Sequence, residues 1–330
     1  MLSRYRSDIA VVRIAFAGGV WLLAACGHPT GLPERVVVPT GATFRAASDS
    51  LSRAHIISLP RLFRAYASLT HRDRVVKPGT YLFQHGETWS DVLDALTHGR
   101  GLVRTVTIPE GWDLNAIIPL LAHDLAADSD SVFAAVRDTG LLARLGVSVP
   151  TLEGYLYPDT YSFPDGTTPR VAVRVMVDEF ERAWRPEWND RVRALGLTRH
   201  EAVTLASIIE KEARLPEERA IISGVYQNRL RMHMPLQADP TVEYALGRHL
   251  QRVYYKNLEV VSAYNTYRHP GLPPGPIASP GEASMEAAVT PADVPYLYFV
   301  ATPDGHHTFS STFAEHTEAR LELRRHQQGR

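Results

Sequence analysis

Residues 198–213 read TRHEAVTLASIIEKEA, a segment that forms a helix apolar on almost every face. Thr198 and Glu201 stand at the T-x-x-E spacing of a capping box, which marks where the helix begins. Ala202, Val203, Leu205, Ala206, Ile208 and Ile209 then spread apolar side chains round most of its circumference. Such a helix has no broad solvent face and must be buried, so its domain has to be laid around it. The chain is long enough for this: 330 residues allow two or three domains and a sizeable core.

The helix carries chemistry at its C-terminal end. Glu210 falls in register with Val203 and Ala206, on an apolar stripe. A carboxylate there is disfavoured in its charged form, which suits a proton donor. Glu212 lies about 200° further round the helix, so the two carboxylates cannot easily share one substrate atom. Glu210 is therefore the expected catalyst. The plainer reading, a solvated end of an amphipathic helix, is weakened by the polar residues that follow downstream.

Charge is balanced, with 35 Lys and Arg against 36 Asp and Glu. No basic block interleaved with aromatics points to nucleic acid. The single cysteine, Cys26, excludes an intrachain disulfide and a thiolate metal site. Its setting is informative. Arg4, Arg6 and Arg13 precede thirteen apolar or Gly residues, Ile14 to Cys26, which end Leu23-Ala24-Ala25-Cys26. Residues 1–26 thus read as a secretory signal with a lipobox, Cys26 being the acylated residue, or as a membrane anchor. The run is short for a spanning helix, which needs about 20 apolar residues. Either form tethers the remaining chain outside the cytoplasm.

Residues 27–34 read as a Gly/Pro linker. From residue 35 to about 108 the pattern is a small α/β module: a strand and turn at Val36–Gly41, helices at Thr43–Ser52, Leu59–Ser68 and Thr88–Thr97, and an extended segment from Val75 to Phe83. A second V-x-x-P-x-G turn, Val106–Gly111, echoes the first and opens the larger part, residues 109–330. There, Asp128–Leu145 reads as helical, Thr151–Tyr161 as an aromatic loop, and Arg170–Trp184, Trp188–Leu195 and Ile221–Arg231 as helices. Seven Pro or Gly residues between Pro270 and Pro280 mark a shaped loop or a linker. Tyr296–Val300 is a strand that His307–Phe309 can pair with, and Ala314–Arg325 a polar helix. The fold class is α+β.

No GxGxxG, Walker loop, GxSxG elbow or HExxH occurs, so nucleotide, serine-hydrolase and zinc-protease chemistry have no support. No cofactor or metal is implied. The histidines, including His306, His307 and His316, read as surface or strand-end residues. Carboxylates, amides and aromatics remain. Glu210, Gln237, Asp239, Tyr264, Asn265, Tyr267, Tyr155 and Tyr161 are of the types that line a carbohydrate groove. Asp239 and Pro240 also read as the cap and first residue of a helix.

LASIIEKEA, VYQNRL, LQADPTVEYALG, YNTY, GLPPGPIASPG and YLYFVATPDGHHTF, with LEGYLYPDTYSF upstream, resemble in order and spacing the MltG (YceG-like) family of endolytic murein transglycosylases. The resemblance covers about residues 35–325. It implies a LysM-like module at 35–108, a catalytic domain at 109–330, and one acidic catalyst at the first Glu of the E-K-E triplet, Glu210. Gln237, Asp239, Tyr264, Asn265 and Tyr267 fall where the family builds its substrate cleft. It further implies peptidoglycan glycan strands as substrate, penicillin-binding synthases as partners, and a place on the cell membrane facing the wall. The family usually keeps a transmembrane helix, from which Leu23-Ala-Ala-Cys26 departs. A glycan-binding scaffold that does not cut, and a hydrolytic muramidase using Asp239 or Glu153 as second carboxylate, are the two other readings.

Overall fold

The computed structural model describes residues 30–250 and 253–328, so Cys26 and the rest of the expected leader lie outside the described residues. Two compact units divide between Val103 and Arg104. In the first, β1 (Thr30–Val38) pairs antiparallel with β2 (Gly79–His85), with Val36 opposite Tyr81. The strand therefore starts inside the expected linker. Its register is irregular between Thr30 and Glu34, where Pro33 has no N–H to contribute. The extended segment expected from Val75 becomes strand only at Gly79, after Pro78.

Three helices complete this unit: α1 (Phe44–Arg53), α2 (Pro60–Leu69) and α3 (Trp89–His98). Thr43 and Thr88 cap α1 and α3 by accepting from the N–H groups of Ala46 and Asp91, and Pro60 opens α2 where no N–H is needed. Val36, Leu51, Phe63, Tyr81, Phe83 and Leu93 form the centre of its core. β3 (Leu102–Thr107) begins here, Leu102 pairing with Tyr81.

The second unit continues β3 and adds β4 (Thr160–Pro164) beside it. The Ile108 N–H donates to the Asp159 carbonyl at 2.9 Å. The expected aromatic loop thus ends in a strand, with Tyr161 and Phe163 buried on one side. Around it run α4 (Leu114–Leu125), α5 (Ser129–Ala135), α6 (Thr139–Leu145), α7 (Pro169–Ala183) and α8 (Trp188–Ala194). The single helix expected over 128–145 is two, because the Asp138 carboxylate accepts from the N–H groups of Gly140 and Leu141 and starts a new one. Tyr155 and Tyr161 are core residues here, not groove residues. Tyr155 is fully buried with its hydroxyl on His200, and the Tyr161 hydroxyl donates to the Tyr157 carbonyl.

α9 (Arg199–Glu212) is the buried helix that the sequence demands, and its capping box is formed. Every residue from Ala202 to Ile209 is buried, and each large aliphatic among them contributes about 1.5–3 kcal/mol. It packs on α8, α10 (Arg219–Arg231), α11 (Asp239–Ala245) and, most broadly, α12 (Glu282–Val289). The Pro/Gly run between α11 and α12 is a shaped loop, not a linker: Ile277 donates its N–H to the Ser207 hydroxyl at 3.0 Å, and Ser279 exchanges backbone hydrogen bonds with Gly111 and Trp112 at 2.8 Å. β5 (Tyr298–Ala301) and β6 (His307–Ser310) form an antiparallel hairpin, and α13 (Phe313–Gln328) closes the chain against it.

Candidate active site

The last turn of α9 sends its two carboxylates to different places. Glu210 is 8% exposed, accepts from the Gly281 N–H at 3.1 Å and lies 3.8 Å from an Arg219 guanidinium nitrogen. Its charge is felt by Glu110, in the second V-x-x-P-x-G turn; burial first, and then the Glu210 charge, raise the Glu110 carboxyl above its ordinary range. Glu212 instead lines an open cleft of about 570 Å³, together with Gln237, Asp239 and Tyr267. Its Oε1 accepts from the Tyr226 hydroxyl at 2.9 Å.

Burial pushes the Glu212 carboxyl up to about 7. The Asp239 and Glu243 carboxylates add to that rise, while the Tyr226 hydrogen bond and Arg229 oppose it. Near neutral pH this group holds or releases a proton at small cost, which a general acid-base catalyst requires. Glu210 is not among the residues lining this cleft. The geometry places the second carboxylate of the triplet at this cleft, whereas the helical wheel pointed to the first.

The other expected residues divide. Gln237 lines the cleft in the left-handed region, at φ 50°, its N–H held by the Thr266 carbonyl at 3.2 Å. Such a conformation is uncommon for a residue other than glycine and often marks a functional segment. Asp239 and Tyr267 are joined, the tyrosine hydroxyl donating to the carboxylate at 2.5 Å. Asp239 is the first residue of α11 and not its cap, since Ala238 holds the cap position. Asn265, expected to meet sugar hydroxyls, is fully buried. Its amide donates to the Leu258 and Val260 carbonyls and accepts from the Tyr267 N–H, so it shapes the loop that carries Tyr267. Tyr264 packs against Tyr244 with ring centroids 4.8 Å apart and planes tilted by 49°, and does not line the cleft.

Residues beyond that expectation complete the cleft. Tyr254, Tyr255 and Phe313 line it while remaining strongly exposed, as rings that stack on sugar faces would. Arg229 donates to the Leu297, Leu236 and Pro235 carbonyls, tying α10 to the hairpin and to the segment before Gln237. His307, expected to be a surface or strand-end residue, is the first residue of β6, 4% exposed in its side chain, and lines the cleft. Glu218 accepts from both its N–H and its Nδ1, at 2.9 and 2.6 Å. Burial works against the Glu218 charge, but these hydrogen bonds outweigh it and hold the carboxyl below its ordinary range. An ionised Glu218 can only accept, so Nδ1 carries the proton.

Among the described residues no three His, Cys, Asp or Glu side chains are grouped to hold a metal ion. Glu153, the other carboxylate considered, is 2% exposed, accepts from the Leu114 N–H and the Tyr244 hydroxyl, and is pushed by burial up to about 8. Folding thus raises its proton affinity above the ordinary carboxylate value of 4.5. That contribution to stability is full below the unfolded value and is lost as pH rises through about 8. Glu153→Gln has no charge to bury, so its stability is expected to fall less across this window, by on the order of 1–3 kcal/mol. Thermal unfolding of both proteins across the window checks this; parallel pH profiles would contradict it.

The family described as the YceG-like family matches residues 36–322. The chain is 32% identical over 322 residues to an endolytic murein transglycosylase of Bacillus subtilis (strain 168), covering 93% of this chain and 89% of that protein. It is 29% identical over 298 residues to an endolytic murein transglycosylase of Streptococcus pneumoniae (strain D39), covering 81% of this chain and 54% of that one. A crystal structure of a yceG-like protein from Listeria monocytogenes superposes with a TM-score of 0.63 at 31% identity, over 88% of this chain and 99% of the other.

Proposed function

Because the chain belongs to the YceG-like family, we propose that it is an endolytic murein transglycosylase whose acid-base catalyst is Glu212. The observation that carries this reading is one carboxyl held near neutrality in a glycan-sized cleft with Gln237, Asp239 and Tyr267. Protonated Glu212 donates to the glycosidic oxygen between N-acetylmuramic acid and N-acetylglucosamine. The carboxylate so formed takes the proton from the muramic 6-hydroxyl, which closes on C1 and leaves a 1,6-anhydro end. The attacking hydroxyl belongs to the same sugar, so its effective concentration is high. Neither water nor an enzyme nucleophile is consumed.

Glycoside hydrolysis would need a second carboxyl group as base or nucleophile. Asp239, lining the same cleft, keeps a hydrolytic muramidase as the second reading. Glu153 does not line it. A binder that cuts nothing is separated more simply: isolated glycan strands incubated with the protein are expected to shorten, and strands of unchanged length would leave a scaffold.

The pH profile follows from the acid. Glu212 must be protonated to start the reaction, so kcat/KM is expected to be highest below about 7 and to decline as pH rises through that value. A rate that climbs through neutrality would contradict this assignment.

The first unit serves, on this reading, as a LysM-like module over residues 35–108, with the catalytic domain at 109–330. The chain works outside the cytoplasm on a membrane tether, through Cys26 or an N-terminal helix, near penicillin-binding synthases. Among the described residues no helix is long and apolar enough to cross a membrane.

A further inference from the structure

α13 carries its charges in an uneconomical order. Arg320 and Arg324 stand four residues apart, as do Glu318 and Glu322. Like charges at that spacing repel, whereas one exchange would give favourable pairs. The arrangement sorts the helix by face: Phe313, His316, Arg320 and Arg324, at intervals of three and four residues, all line the cleft that holds Glu212. No side chain from Phe313 to Arg325 forms an ion pair among the described residues, although three glutamates lie on the same helix.

The stripe is held in place. Tyr298 of β5 stacks on His316 at 5.3 Å and meets Phe313 edge-on at 5.9 Å. The His316 Nδ1 is buried with no hydrogen-bond partner. These features describe a cationic lining along the cleft wall, backed by packed aromatic rings and without an ion-pair partner among the described residues.

We propose that this face of α13 is a subsite for carboxylates carried on the substituents of the muramic residues, with Arg320 and Arg324 as its binding groups. The proposal rests on the murein reading above. An arginine fork matches a carboxylate in plane. An internal cutter meets the substituent on every disaccharide but the end group of a strand only once. A repeating carboxylate therefore suits the site better than a terminal phosphate does. The subsite would seat the strand so that the scissile bond reaches Glu212, and would make cleavage depend on the charge of the stem peptides.

The test compares uncross-linked strands bearing native stems with the same strands after their carboxylates are converted to neutral amides. Cleavage by the wild-type protein should fall about tenfold in kcat/KM on amidation, as two exposed charge contacts allow together. The Arg320→Gln/Arg324→Gln protein should start about tenfold lower on native strands, with the loss in KM, and should ignore amidation. Arg320→Lys/Arg324→Lys should restore much of the response, which a purely structural role would not predict. Strand binding, measured in the Glu212→Gln background, should show the same dependence even if no bond is cut. Failure of cleavage alone therefore sinks the catalytic reading and not the subsite. An amidation response retained in the double Gln protein, or one tracking removal of a terminal phosphate instead, overturns the proposal.

Discussion

Glu212→Gln is expected to leave a folded protein whose cleavage rate is reduced at least about 10²-fold, the low end of general acid-base contributions. The amide has the volume of the acid and can still accept from the Tyr226 hydroxyl, which lies 2.9 Å from Oε1. It can neither donate a proton to the leaving oxygen nor recover one from the 6-hydroxyl. Glu210→Gln should be far milder. Its amide oxygen can still take the Gly281 N–H, and what is lost is a charge 3.8 Å from Arg219. A few-fold change in rate is the expected outcome there. Near-normal turnover by Glu212→Gln with an inactive, folded Glu210→Gln would return the assignment to the first carboxylate.

Gly154→Ala should be the most damaging small substitution for stability, at roughly 3–5 kcal/mol. Gly154 has φ +81°, where a Cβ is strained. The added methyl would also overlap Cβ and Cγ of Pro276 and stand 3.3 Å from the Ala278 carbonyl. Both neighbours belong to the Pro/Gly run packed on α9, and a proline ring has little freedom to move aside. Gly166→Ala isolates the two contributions, because Gly166 has the same φ of +81° with nothing within 4 Å. That control should cost about 1 kcal/mol. Denaturant unfolding of the three proteins provides the comparison, and equal losses at the two sites would show that the Pro276 contact is unimportant.

Helix α9 was legible because its pattern leaves no alternative: a capping box followed by apolar residues on every side must lie in a core. Which of its two end carboxylates faces the cleft was harder to read for the same reason. Glu210 aligns with Val203 and Ala206, but Glu212 aligns with Leu205, Ile208 and Ile209, an equally apolar stripe of larger side chains. On a helix buried all round, periodicity cannot tell which stripe ends at a cleft. Only the arrival of α11 and the Tyr267 loop decides it. Asp239 and Tyr267 were named as groove residues by type, their pairing being visible only in the structure, whereas Asn265 was misjudged because composition does not say whether an amide faces ligand or backbone. His307 was missed because its partner, Glu218, is 89 residues away in sequence. Asp138 left a local signal, an Asp three residues before an apolar run, that was sufficient to split the helix at 128–145.

The masses of the new strand ends formed from purified uncross-linked glycan test the central claim most directly. Catalysis by one carboxyl with the muramic 6-hydroxyl as nucleophile predicts 1,6-anhydro ends, one water lighter than reducing ends, and no oxygen taken from isotopically labelled solvent. Reducing ends that carry one solvent oxygen per cut would contradict it, and would assign Asp239 the part of a second catalytic carboxylate.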